Sequence, residues 1–278
     1  MLQDITFFVS VTACCALTSQ VCAQTKKETI ISVWEASRSN DPKIRFDAVR
    51  RLQKFGESAV PVLMEIWNRG DDTSAVAASV IAELKPASPF IAEIFQKALM
   101  GHTDKRLREA AAIALGGVQG GGDDTVNALV AGLEDKEVWV VYRSVISLRQ
   151  IAGDAKKAVP PLIVVAKRYQ AKAEKKDANG SNLDCEVAVH ALKALAAVDH
   201  ASQEEFIVKS CVHAIRTHKT NYVALLVCTE LLARMGASAK EGVPELLEIA
   251  ATAEIDEEVR ERAATAINAI VKALRDRK

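Results

Sequence analysis

Apolar residues recur along most of this chain at intervals of three and four. Ile44, Ala48, Leu52 and Phe55 fall on one helical stripe, as do Val259, Ala263, Ile267 and Ile270, and that spacing predicts amphipathic α-helices. The polar punctuation between stripes repeats as well. Asp41-Pro42-Lys43-Ile44-Arg45, Asp104-Lys105-Arg106-Leu107-Arg108 and Asp256-Glu257-Glu258-Val259-Arg260 share the pattern Asp-x-x-aliphatic-Arg, with each Asp set to accept from the free N–H groups of a helix start. Related segments open at Asp135 and Asp184, with Trp139 and Ala188 standing where the pattern has Arg.

A second signature follows: Ala59-Val60-Pro61-Val62-Leu63, Ala158-Val159-Pro160-Pro161-Leu162 and Gly242-Val243-Pro244-Glu245-Leu246. Proline at the first helical positions is preorganised and sacrifices no hydrogen bond, so each instance marks the start of a second helix. The acids at 41, 72, 104 and 135 are 31, 32 and 31 residues apart. That period holds two helices and two turns. It stretches where residues 167–182 are inserted before Asp184, then resumes near Thr220 and Asp256. The unit is helix, turn, helix, repeated about six times and closed by a single helix. One pair cannot cover its own apolar faces, so neighbours must stack, and the expected fold is an all-α solenoid over residues 24–278. Thr29 to Ser37 reads as a cap at one end, and Arg260, Arg262, Lys272, Arg275, Arg277 and Lys278 as solvation of the last helix.

The Asp-x-x-aliphatic-Arg start, the alanine-rich first helix and the Ala-Val-Pro-x-Leu second helix resemble HEAT-like repeats of the short type, which also occur in phycobilisome bilin lyases. Tetratricopeptide and ankyrin signatures are missing. The resemblance implies a protein-binding scaffold, in which Asp41, Arg45, Asp104, Arg108, Asp256 and Arg260 form a structural ladder along the stack.

Composition adds little to this picture: 26% charged, 49% hydrophobic and 5% aromatic residues suit a helix-rich globular chain. Residues 5–17 form an apolar run shorter than the roughly twenty residues a spanning helix needs. Val21-Cys22-Ala23 follows it, so the expectation is a signal peptide over residues 1–23, cleavage after Ala23, a periplasmic or secreted protein and no transmembrane span. Cys185, Cys211 and Cys228 would remain, an odd number; Cys211 and Cys228 fall on apolar stripes and read as core thiols.

Lys plus Arg equals Asp plus Glu at 36 each, so no global field draws the protein to nucleic acid. The charge is nevertheless uneven. Arg149, Lys156, Lys157, Lys167, Arg168, Lys172, Lys175 and Lys176 stand against two acids, a local net of +6, whereas residues 241–261 carry eight acids and one Arg, a net of −7. The basic stretch is the candidate partner-binding segment, and Lys167 onward is expected to project from a helix end and its following loop.

Catalytic motifs are missing. The five histidines never stand at the spacing of a helical metal pair. Gly116 to Asp124 is glycine-rich but is followed by no Lys-Ser or Lys-Thr, and reads as a turn in which Asp123 or Asp124 caps the next helix. Asn179-Gly180-Ser181 is a glycosylation sequon. The expectation is a protein without cofactor, metal or enzymatic activity that binds another protein. Two other readings stand beside it: a binder of anionic polymer using the basic stretch, and an enzyme resembling the bilin lyases.

Overall fold

The computed structural model describes residues 24–39, 41–174 and 183–277; the expected signal peptide, Lys175, Lys176 and the sequon lie outside them. The described residues are almost entirely helical, and an isolated bridge between Ala87 and Gln119 stands outside the helices. Contacts divide the chain into two compact units, before and after Pro86.

The first unit contains α1 (24–37), α2 (Pro42–Phe55), α3 (Val60–Trp67) and α4 (Ser74–Leu84). Asp41 caps α2, its Oδ1 accepting from the Lys43 amide at 2.8 Å. Gly56 closes α2 at φ 56°, a conformation open to glycine because it has no Cβ. A 3₁₀ turn at Gly56–Ala59 then leads into α3 with Pro61 at its start. Ile30, Trp34, Leu52, Leu63, Ile66 and Ile81 are fully buried. Lys27 reaches Glu65 at 2.8 Å and Gln53 reaches Glu83 at 2.6 Å, so each bond joins elements thirty or more residues apart.

The second unit contains α5 (Pro89–Gly101), α6 (Lys105–Gly117), α7 (Gly122–Gly132), α8 (Val138–Ile151), α9 (Val159–Glu174), α10 (Leu183–Val198), α11 (His200–Thr217), α12 (Tyr222–Met235), α13 (Val243–Ala251) and α14 (Glu257–Asp276). Even-numbered helices from α6 to α14 pack each against the next, and α5 packs on α7 and α11 on α13. Ala110, Ala111, Ala112 and Ala114 of α6 and Ala188, Ala191, Ala194 and Ala196 of α10 are buried, small side chains that suit close helix packing. α10 contacts α8, α9, α11 and α12 and buries residues around most of its circumference, the expectation for a helix apolar on all sides.

Several boundaries differ from the sequence expectation. α9 runs on through Lys167 to Glu174, because Tyr169 and Ala173 continue the buried stripe of Leu162, Val165 and Ala166; the insertion therefore contributes helix before any loop. Asp123 and Asp124 do not cap α7, which starts one residue ahead of them with Gly121 at the cap. Asp71 accepts from the Thr73 amide and hydroxyl before α4. Asp184 is buried inside α10.

Candidate functional site

The ladder residues take distinct positions. Asp104 accepts from the Arg106 amide at 2.8 Å, and the Arg106 guanidinium beside it holds its carboxyl down at about 2. Asp256 caps α14 through the Glu258 amide at 2.9 Å. Arg108 does not pair within its own helix pair. Its Nε and Nη2 bind the two oxygens of Asp135 at 2.7 and 3.0 Å, and Nη1 donates to the carbonyls of His102 and Thr103. Arg260 donates Nε to the Ile255 carbonyl at 3.0 Å. The side chain of Arg45 lies outside the described residues.

The basic stretch is dispersed and largely engaged. Lys157 is bound to Asp123 and Arg168 to Glu134, both on the preceding helix pair. Lys167 Nζ lies 5.5 Å from the centre of the Phe206 ring, and Lys172 lies 4.3 Å from that of Tyr169. Arg149 sits in the last turn of α8, and Lys156 is exposed in the turn before α9. Two of these cations are thus paired with carboxylates, while Lys167 and Lys172 rest on aromatic rings that leave their charge in place.

Two features of the second unit were not singled out in the sequence. The first surrounds Trp139, which is 48% exposed near the start of α8. Its ring meets Tyr142 edge to face at 5.8 Å, and the Arg143 guanidinium lies 5.8 and 5.7 Å from the two ring centres while its Nε binds Glu109 at 3.0 Å. Arg143 is thereby held at one end by a salt bridge and at the other by two aromatic faces, so the group loses little freedom on meeting a partner.

The second is a cleft of about 480 Å³ among α11, α12, α13 and α14. Ile215, Leu225, Ile249 and Val259 form its buried apolar floor. Arg216 reaches Glu245 at 2.6 Å and Lys219 reaches Glu248 at 2.5 Å along its wall, while the Tyr222 hydroxyl donates to Glu258 at 2.7 Å. Glu245 is 7% exposed, and its Oε2 is buried with no hydrogen-bond partner.

Other polar chemistry is internal. Cys185, Cys211 and Cys228 are free and buried; burial raises Cys185 to about 12, and the neighbouring Cys211 together with burial raises Cys228 well above the ordinary thiol range. Among the described residues no group of His, Cys, Asp and Glu is arranged to hold a metal ion. Residues 222–251 are apolar and long enough to cross a membrane by length and composition, but more than half of their most apolar part is buried, and the stretch divides into α12, a 3₁₀ turn and α13.

No family model matches the chain, and no curated protein is similar to it. Among solved structures, two engineered proteins are similar in outline. One is 20% identical with a TM-score of 0.46 over 87% of this chain and 68% of its own; the other is 18% identical with a TM-score of 0.44 over 88% and 97%.

Proposed function

We propose that this protein is an exported α-solenoid of short HEAT-like repeats, about six helix pairs with a terminal helix, that binds another protein and catalyses nothing. Export rests on the apolar run and Val21-Cys22-Ala23 in the first 23 residues. The observation that carries the binding role is Trp139. A half-exposed tryptophan braced by Arg143 and Tyr142 has the composition of a protein-binding hot spot, and Trp and Arg bury area with little entropic cost when already held in place. It also stands at the helix position where Arg108 serves the stack in α6, so at this place the repeat gives up an internal tie for an outward aromatic.

The test places a photoreactive amino acid at Lys136, one turn before Trp139 and exposed, and at Val164 on α9 as an exposed control, in protein made by its source. Irradiation should link position 136 to one defined protein, with the link lost in Trp139→Ala and absent from position 164. Equal cross-linking at both positions, or a link that survives Trp139→Ala, would overturn the reading.

A further inference from the structure

The cleft at the end of the second unit has no part in the Trp139 surface. Its two cations are already matched: Arg216 by Glu245 and Lys219 by Glu248. The other carboxylates lining it, Glu254 and Asp256, make no ion pair with a described residue, and Asp256 uses only Oδ1 for its cap. The lining therefore carries four acids against two bases, and all four acids come from residues 241–261. Glu245 adds a second observation. Both Arg216 nitrogens that reach it bind the same oxygen, Oε1, so Oε2 stays desolvated and without a donor. Arg216 thus meets Glu245 from one side alone, and the unmet side adds to the negative field of the cleft wall. The floor beneath is aliphatic and the volume lies within the range of about 300–1,000 Å³ typical of binding sites.

We propose that this cleft takes the basic side chain of an extended protein segment. The aliphatic stem of an Arg or Lys packs on Ile215, Leu225 and Ile249, and its cationic head meets Glu254 and Asp256. Long cationic side chains bury their stems and keep their heads on polar groups in this way. A free anion or an acidic segment is repelled by the surplus carboxylates. The proposal rests on the scaffold reading only in taking the occupant to be protein.

The test needs no native partner, so its failure and that of the Trp139 surface are separable. A blocked peptide of sequence Gly-Leu-Arg-Leu-Arg-Gly is titrated into the protein, beside versions with both Arg changed to Gln or to Glu, and amide shifts are followed by nuclear magnetic resonance. The Arg peptide should bind about tenfold or more tightly than the Gln peptide, weaken as salt rises, and shift amides in α11, α13 and the turn before α14. Glu254→Gln/Asp256→Asn should remove that advantage; Asn keeps the helix cap, and an unchanged melting curve identifies a folded variant. Glu254→Gln alone, away from the cap, should give a partial loss. Binding of the Gln or Glu peptide in the cleft as tightly as the Arg peptide, shifts confined to other surfaces, or an Arg advantage undiminished in Glu254→Gln would each sink the proposal.

Discussion

Arg108 and Asp135 clasp each other across consecutive helix pairs through two parallel hydrogen bonds, with their side chains only 8% and 10% exposed. Burial works against the charged form of Asp135, yet the bonds from Arg108 and the Glu137 amide outweigh it and hold the carboxyl below its ordinary value. Removing one member leaves the other buried and uncompensated. Arg108→Ala also orphans the carbonyls of His102 and Thr103. It should cost about 3 kcal/mol or more in urea unfolding, and Asp135→Ala should cost less in that background than in the parent, a coupling of about 1 kcal/mol or more.

The same pair fixes a pH dependence. A carboxyl lowered by folding contributes stability that is present above its unfolded value and lost as pH falls through its folded one. The stability deficit of Arg108→Ala should therefore be largest above the ordinary carboxyl value and shrink as pH falls through the folded one, read by urea unfolding at several pH values. A deficit that stays constant through that range would show that the pair does not set this limb.

The helical period, the capping acids and the prolines were legible in the sequence because each acts locally. Asp41, Asp104 and Asp256 bond to amides two residues away, and Pro61 and Pro244 stand at their helix starts. What was not legible depends on distance along the chain. That Arg108 would choose Asp135 over Asp104 is decided by the stacking of α6 on α8, and the dispersal of the basic stretch is decided by Asp123, Glu134 and Phe206, far from it in sequence. The extension of α9 was within reach, since Tyr169 and Ala173 keep the stripe, but the charges around them masked it. The cleft needs four helices at once, and one signal for it, the acids of residues 241–261, was visible only as a sum.

Gly132 at the end of α7 sits against Ser144 of α8: a Cβ built on it would lie 2.3 Å from Ser144 Oγ and 3.3 Å from both methyl groups of Leu99. Gly132→Ala should destabilise by about 1–3 kcal/mol through overpacking. Ser144 Oγ is itself buried without a hydrogen-bond partner, so Ser144→Ala should be neutral or stabilising and should recover much of the loss when combined with Gly132→Ala. Thermal melts of the three variants decide it, and a double variant no better than Gly132→Ala would place the strain elsewhere.

The buried thiols give a readout of opening. With Cys185 raised to about 12 and Cys228 raised by Cys211 and by burial, the thiolate that reacts is scarce in the folded state. Iodoacetamide at mildly alkaline pH should leave Cys185, Cys211 and Cys228 unmodified until denaturant is added, and Arg108→Ala should accelerate labelling if opening spreads through the stack. Prompt labelling of the folded parent would contradict this packing.

His190 lies on α10 against Tyr142, ring centres 5.4 Å apart, with Nδ1 buried and unpartnered. Burial first, and then Arg149 and Lys193, lower its pKa to about 4 against the opposing charge of Glu230. The unfolded chain then binds a proton near the ordinary histidine value of about 6.5 while the folded chain waits until about 4. Between those values the unfolded state holds more protons, so stability falls as pH falls, by up to about 3 kcal/mol in total, and levels off below the folded value. His218 is also lowered, by burial first and by His213, against Glu174, and adds a loss of the same sign. His190→Gln should leave stability near neutral pH changed only by packing and should flatten the dependence between about 6.5 and 4 without abolishing it. The check is urea unfolding at several pH values beside a nuclear magnetic resonance titration of the His190 ring. A ring that titrates near 6.5 in the folded protein, with equal slopes in parent and variant, would remove His190 from the acid response.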